Sequence, residues 1–478
     1  MLNKELENCK NGIFILGIND VNISLAGIFA EKEIKTFFWD FDDKIINDKK
    51  NIFNSNKFIS LLDINQCDFD NIDYIILSKD ILSDNNDTKT LLFRLEKVKE
   101  KVFLDIEFIS ELYPDNKYVI VFAPDYDFIT TTIVQNIFKY SSIKSINVEG
   151  TFNDIVEEKK EENNNLTAVS FDDIVCYSGI SDYRVNFLKN FKFNILALLD
   201  INEEIGKNKN LLKQRKNLIS LQNESTIILM NVDNKYIKKF YTDFVKDNNL
   251  KCKIIPISAS KILNDGISYI NNVIYNYYSS DNLSYDLKEN DYFTSYINKL
   301  SLLSSFIITK NCGVENNIIL EAIGSFSGIK NCLEYVGKYN NIIFINNIAA
   351  NNSNILEAPF NSYDNIYTIL IVDESKINGG FDKKQQNNRK NVKKIFLVDQ
   401  IGLVENSIID NKKIFKFNNL KDAINSTIEI SKEEDKENNV TILLSPVVAD
   451  GENYIKYDKY GDEFKNIVTS FDKETIFD

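Results

Sequence analysis

Two adjacent carboxylates, Glu203 and Glu204, follow the apolar run Ile195 to Leu199 and are the strongest candidates in the chain for holding a hard cation, since magnesium favours carboxylate oxygens. The simpler reading of the same pair is a solvated acidic turn. A basic group, Lys213, Arg215 and Lys216, lies just downstream in LLKQRKNLI, and Lys216 reads as either a site lysine or part of the exposed stripe of a helix. Near the start, Asp40 ends the run Ile34 to Trp39, the place where a carboxylate in a βαβ unit often meets the ribose or base of a nucleotide. The turn between the first two such runs reads GINDVN, so a GxGxxG fingerprint keeps only Gly17, and a plain structural turn is the competing reading.

There is no histidine among the 478 residues. This removes every mechanism that needs a histidine base, a histidine metal ligand or a Ser-His-Asp relay. The formal charge of -14 and the lack of any Lys/Arg cluster on that scale argue against nucleic acid as a partner. Six cysteines without a CxxC pair fit reduced structural thiols, and no run of about 18 apolar residues predicts a membrane span or a signal peptide. A cytoplasmic protein is expected.

The elements that must position these groups are legible as short apolar runs separated by helical patterns. Gly12 to Gly17, Ile34 to Trp39 and Asp73 to Leu77 predict strands, with helices at Ile23 to Ala30 and in TLLFRLEKVKEK. A second group of strands is predicted at Tyr118 to Phe122, Ile195 to Leu199 and Thr226 to Met230, with a helix from Thr130. A third begins near Ser301, with strands at Ile342 to Ile345, Tyr367 to Val372, Lys394 to Val398 and Val440 to Leu444. Alternating strands and helices predict parallel α/β sheets, and the length predicts three domains, at 1–98, 99–300 and 301–478. The charged stretches Glu157 to Asn165 and Asp382 to Lys393 read as surface loops.

The end of the chain, LLSPVVADGENYIKYDKYGDEFKNIV, resembles a pattern of the Mur ligases, the ATP-dependent amino-acid ligases of peptidoglycan synthesis: Ser445, Pro446, Ala449, Gly461, Asp462 and Phe464 fit, and Tyr460 stands where the family has Arg. FSGIKNCLEYV is similar to the family's F-x-G-[LI]-x-H-R-x-E through Phe326, Gly328, Ile329 and Glu334. INNIAANN is similar to N-D-S-K-A-T-N through Asn346, Ala350 and Asn352, and Val314-Glu315-Asn316 to part of H-N-V-x-N. The motifs keep the family's order along essentially the whole chain.

The resemblance implies a three-domain α/β architecture: a Rossmann-like N-terminal domain, a central domain like the P-loop ATPases, and a Rossmann-like C-terminal domain. It points to the D-glutamate-adding branch, with UDP-muramoyl-alanine and D-glutamate as substrates, ATP and Mg2+ as cofactors, and a monomer as the working form. The phosphate loop G-T-N-G-K-[ST]-T falls on Pro124, Asp125, Tyr126, Asp127, Phe128, Ile129 and Thr130. Two acids and a phenyl ring thus replace the glycines and lysine that phosphoryl transfer needs, and one charge pair at 4 Å is worth about 4 kcal/mol at an effective dielectric near 20. The family's metal-holding Glu falls near Gly179 and its N-I-T-P-D-H on residues 200–205, leaving Glu203 and Glu204 as the metal candidates; Lys216 falls on the lysine that is carbamoylated. Ser24, Asp40 and Ser78 match the uridine-side positions; Asn346, Ser445 and Phe464 match positions on the substrate side of the C-terminal domain. The expectation is a Mur-ligase-like protein with ligation lost or strongly reduced, against two alternatives: a working ligase with a rebuilt ATP site, and a non-catalytic Rossmann-like binding or scaffold protein.

Overall fold

The computed structural model describes residues 6, 9–78, 86–123, 126–148, 174–178, 182–189, 191–201, 203–245, 250–278, 283–350, 353–372, 391–398, 414–436, 438–446 and 454–474. Glu157 to Asn165, Gly179 and most of Asp382 to Lys393 lie outside them. The described chain is mixed α/β and builds three sheets.

The first sheet contains β1 (Ile13–Leu16), β2 (Thr36–Trp39), β3 (Ile59–Leu61), β4 (Tyr74–Leu77) and β5 (Val102–Leu104). All are parallel, in the order β3-β2-β1-β4-β5. The order reverses at β1, so a crevice opens where the carboxyl ends of β1 and β4 part. β5 lies past residue 98, so this sheet runs beyond the first expected span.

The edge of β1 is fastened by Asp73, whose carboxylate accepts from the backbone N–H of Asn11 at 2.6 Å and of Gly12 at 3.0 Å and from the Cys9 thiol at 3.3 Å. Burial would raise the Asp73 pKa, but these donors outweigh it and hold it below the usual 3.8. A carboxyl depressed on folding stabilises the fold above its unfolded pKa and loses that contribution as pH falls through the folded value. Hydrogen exchange at Gly12 should therefore accelerate as pH drops below about 4, relative to intrinsic rates, and an Asp73→Asn variant should lack that acid limb. Burial, and after it the hydrogen bond and negative charge of Asp73, push the Cys9 thiol up to about 12. Cys9, Cys67, Cys252, Cys312 and Cys332 are all free thiols, as the spacing predicts.

The second sheet contains β6 (Lys117–Phe122), β7 (Ser145–Val148), β8 (Ile174–Ser178), β9 (Ile195–Leu198), β10 (Ile227–Asn231), β11 (Lys253–Ser258), β12 (Ile267–Ile270), β13 (Val273–Asn276) and β14 (Leu283–Asp286). Its order is β14-β13-β12-β11-β10-β9-β6-β8-β7. It is parallel up to β12 and antiparallel beyond, because Asn271 and Asn272 take positive φ (51° and 62°) and close a tight hairpin. Its central strands are buried on both faces, and alternate residues enter different cores. Tyr118, Ile120 and Phe122 of β6 join the apolar cluster of the first sheet, while Val119 and Val121 pack under helices Asp127–Tyr140 and Tyr296–Asn311. Ser301 is not the start of the third group of elements but a mid-helix residue of Tyr296–Asn311, buried against the 127–140 helix. The apolar residues that follow, as far as Leu333, share that core.

The third sheet contains β15 (Glu334–Tyr339), β16 (Ile342–Asn346), β17 (Ile366–Ile371), β18 (Val392–Val398), β19 (Ile414–Phe417) and β20 (Val440–Pro446). The order is β15-β16-β20-β17-β18-β19, parallel except for β15. Helices Leu420–Glu434 and Tyr454–Glu474 cover it, and Phe464, on the second of these, points into the core.

Candidate functional site

The chain at the phosphate-loop position turns sharply after β6. The carbonyl of Ala123 accepts from the N–H of Tyr126 at 3.0 Å and of Asp127 at 2.9 Å. The Asp127 carboxylate accepts from the N–H of Phe128 at 3.0 Å, and the Tyr126 carbonyl from that of Ile129 at 3.1 Å. These are the amides that a helix amino terminus ordinarily offers to an anion. Here each has an internal acceptor.

The helix therefore begins at Asp127, three residues earlier than Thr130. Thr130 and Thr131, both fully buried, spend their hydroxyls inside the fold. Thr130 Oγ1 donates to Ser301 Oγ at 3.1 Å, Ser305 Oγ donates to the Thr130 carbonyl at 3.1 Å, and Thr131 Oγ1 donates to the carbonyl of Phe128 at 3.1 Å. Tyr126, Phe128 and Ile129 pack into the core shared with the 296–311 helix. Pro124 and Asp125 lie outside the described residues.

On the metal side the described residues include Asp200 and Ile205, with the backbone of Glu203 and Glu204. Asp200, after β9, accepts from Asn234 Nδ2 at 2.7 Å, and Ile205 is buried. The backbone of Glu203 and Glu204 forms the start of helix Glu203–Lys207, and their side chains lie outside the described residues. Among the described residues no group of three or more His, Cys, Asp or Glu could hold a metal ion. The described residues at the loop position do not fit a nucleotide triphosphate with its magnesium, because the amide donors are taken and the side chains offered are acidic or apolar.

Lys216 is exposed, with its ammonium 5.6 Å from the Phe244 ring centroid. Its neighbour Arg215 is the basic residue that turns inward: it is 3% exposed, and its guanidinium lies 4.3 Å over the ring of Phe122 at the carboxyl end of β6. The sequence carried the signal, since Leu211, Leu212, Leu218 and Ile219 lie three or four positions from Arg215 and mark the buried face of helix Lys209–Ser220.

In the first sheet the expected residues do converge. Asp40 Oδ2 accepts from the N–H of Ile18 at 2.8 Å, and Asn19 Nδ2 donates to Ser78 Oγ at 2.9 Å, so Asp40 and Ser78 are both tied to the turn after β1. Ser24 stands apart, one turn into helix Asp20–Glu31, where its hydroxyl donates to the Asp20 carbonyl at 2.8 Å.

In the third sheet the retained motif positions form one packed network. Asn346 Nδ2 donates to Asn331 Oδ1 at 2.7 Å and to Glu334 at 3.2 Å; Asn331 donates from its backbone to Glu334 and from its side chain to Asp458. Lys465 pairs with Glu334, and Lys330 with Asp462 at 3.1 Å. Ser445 is fully buried and donates to the Pro446 carbonyl at 3.4 Å; Phe464 is fully buried with its ring 6.2 Å from that of Phe344. Gly328 takes φ 92°, and a Cβ there would lie 2.7 Å from the Tyr292 ring. At Gly461 a Cβ would lie 2.1 Å from Asn331 Oδ1. Gly461→Ala is accordingly expected to destabilise the chain by about 1 to 3 kcal/mol, read by chemical denaturation, because Asn331 is held on both sides and cannot retreat.

No protein-family model matches the chain. Along 95% of its length it is 23% identical to UDP-N-acetylmuramoylalanine–D-glutamate ligase of Rickettsia bellii, covering 96% of that protein. The resemblance to the Mur ligases holds. The Clostridioides difficile enzyme of the same name is 21% identical over 90% of the chain and 92% of its own length. The Rickettsia prowazekii one is 26% identical over 60% of the chain, and the match spans 63% of that relative, under two thirds. Among solved structures, UDP-N-acetylmuramate-alanine ligase MurC of Thermotoga maritima aligns over 97% of the chain and 99% of its own at a TM-score of 0.49 and 11% identity. A pseudomurein peptide ligase type C of Methanothermus fervidus aligns over 95% and 99% at 0.49 and 14%.

Proposed function

We propose that the chain is a Mur-ligase-like protein of the D-glutamate-adding type in which ATP-driven ligation is lost or strongly reduced. The observation that carries the proposal is the fate of the backbone amides at 126–129: each is bonded to Ala123, Asp127 or Tyr126, so none of these four is turned to a polyphosphate. The division of labour among the motif residues supports it. Gly328, Glu334, Asn346, Gly461 and Phe464, which are retained, have packing or hydrogen-bonding tasks, whereas the positions replaced are those that would touch phosphate or metal.

On this reading the three sheets correspond to three domains near the expected spans, and the protein works in the cytoplasm as a monomer. Among the described residues no helix is long and apolar enough to cross a membrane. Whether the crevice at Asp40 and Ser78 keeps a UDP-muramoyl-alanine-type ligand is a separate question from ligation, because it draws on a different sheet.

The deciding measurement is ATP turnover with UDP-muramoyl-alanine and D-glutamate in the presence of Mg2+. Turnover near background is expected; a rate in the ordinary enzyme range of about 1 to 10³ per second would refute the proposal. Arg215 favours one second reading, a site rebuilt around a different cation, because it places a permanent positive charge at the end of β6. That reading requires binding, and ATP at 100 times its dissociation constant would add about 2.7 kcal/mol of stability. A melting temperature unmoved by saturating Mg-ATP eliminates it.

A further inference from the structure

Residues 184–189 and 191–193 lie against the first sheet before the chain enters β9. Arg184 Nη2 donates to Asp105 Oδ1 at 2.7 Å and to the Leu77 carbonyl at 2.9 Å, and both charged side chains are wholly buried. Asp105 directly follows β5, and Leu77 ends β4, so one guanidinium bridges the carboxyl ends of two neighbouring strands of the first sheet. Five residues later the N–H of Lys189 donates to Glu107 Oε1 at 2.9 Å, while the other oxygen of Glu107 accepts from the N–H of Leu104 at 3.0 Å. Between and beyond these ties, Phe187, Phe191 and Phe193 are buried in the apolar cluster that also contains Leu104, Phe108 and the residues of β1.

We infer that the segment from Arg184 to Lys189, with Phe191 and Phe193, is a strap that fixes the first and second sheets in a single register and makes them one cooperative unit. A buried ion pair adds little net stability over an apolar substitute, but it penalises any sliding that separates the partners without letting water in, so its best-attested use is to set register. The apolar rings supply the adhesion, and Arg184–Asp105 and Glu107 supply the alignment. Glu107 carries both halves of the second tie, since its two oxygens hold one backbone amide from each side of the junction. The strap is independent of whether the ligase chemistry survives, because none of its residues lies at the phosphate-loop position.

Native-state hydrogen exchange on the full-length protein tests this. The amides of Leu104 and Lys189 should exchange through the same opening as the central strands β1 and β9, with protection factors agreeing within about threefold. In Asp105→Asn, protection at Leu104 and Lys189 should fall together. If the Lys189 amide in the unaltered protein exchanges about a hundredfold faster than that of Leu104, the strap opens by itself and the inference is wrong. Loss of protection at only one of the two amides in the variant overturns it equally. Should Asp105→Asn fail to fold, the comparison within the unaltered protein decides alone.

Discussion

Arg184→Ala should destabilise the protein by about 3 to 5 kcal/mol, measured as a loss in the denaturant transition, because the change takes away the guanidinium against which the Asp105 carboxylate is buried. Asp105 has no exposed surface through which water could compensate it. The N–H of Ile106 also donates to it at 2.9 Å, which supplies a dipole and not a charge. Replacing both members with apolar residues of similar volume should cost far less than the single change, since it removes the stranded charge. A single variant as stable as the original protein would show that the pair is hydrated in solution.

Phe464→Ala is the second large effect expected, again about 3 to 5 kcal/mol, the usual cost of emptying a ring-sized volume in a core. Phe464 has no exposed surface, and from the 454–474 helix it packs against Phe344 of β16. This separates two explanations of why a phenylalanine is retained there. A ring that served a ligand would be dispensable for stability, whereas a ring that seats the helix would not. Phe93, 66% exposed, provides the control: Phe93→Ala should stay within about 0.5 kcal/mol of the original protein.

Much of the fold was legible because its central strands are continuous apolar runs. β1, β6, β10, β17 and β20 are buried almost throughout, and a run such as YVIVF announces a strand covered on both faces. Some of the strands that escaped notice are short or lie away from the sheet centres, although β11, KIIPIS, beside β10, escaped as well. β3 has three residues, β14 reads LSYD, and β15 reads EYVGKY with no fully buried residue, so none displays an apolar run. Helix Tyr296–Asn311 was not legible in the sequence, where Ser301 reads as the start of a third unit, and periodicity states only that a helix has a buried face. Its assignment to the second sheet rests on contacts such as Thr130–Ser301, which span 171 positions and leave no local trace.

The candidate site was legible in part for related reasons. Asp40 and Ser78 stand at strand ends, where chain direction and strand order suffice to bring them near the turn after β1. Lys216 and Arg215 differ by one position, or about 100° around a helix, and motif matching alone could not resolve which faces inward; the leucines and isoleucine around Arg215 could. The replaced loop at 124–130 was apparent from charge. That its amides fold back on Ala123 was not, because backbone bonding in a turn depends on dihedral angles that one sequence does not display.

The Ala123 carbonyl also constrains any evolutionary road back. Phe128→Lys would return a positive charge to the loop position, yet the N–H groups of Tyr126 and Asp127 would still be spent on Ala123. On the proposed reading, side-chain changes alone would leave these two amides engaged, and the turn at Ala123 would itself have to open before they could meet a phosphate.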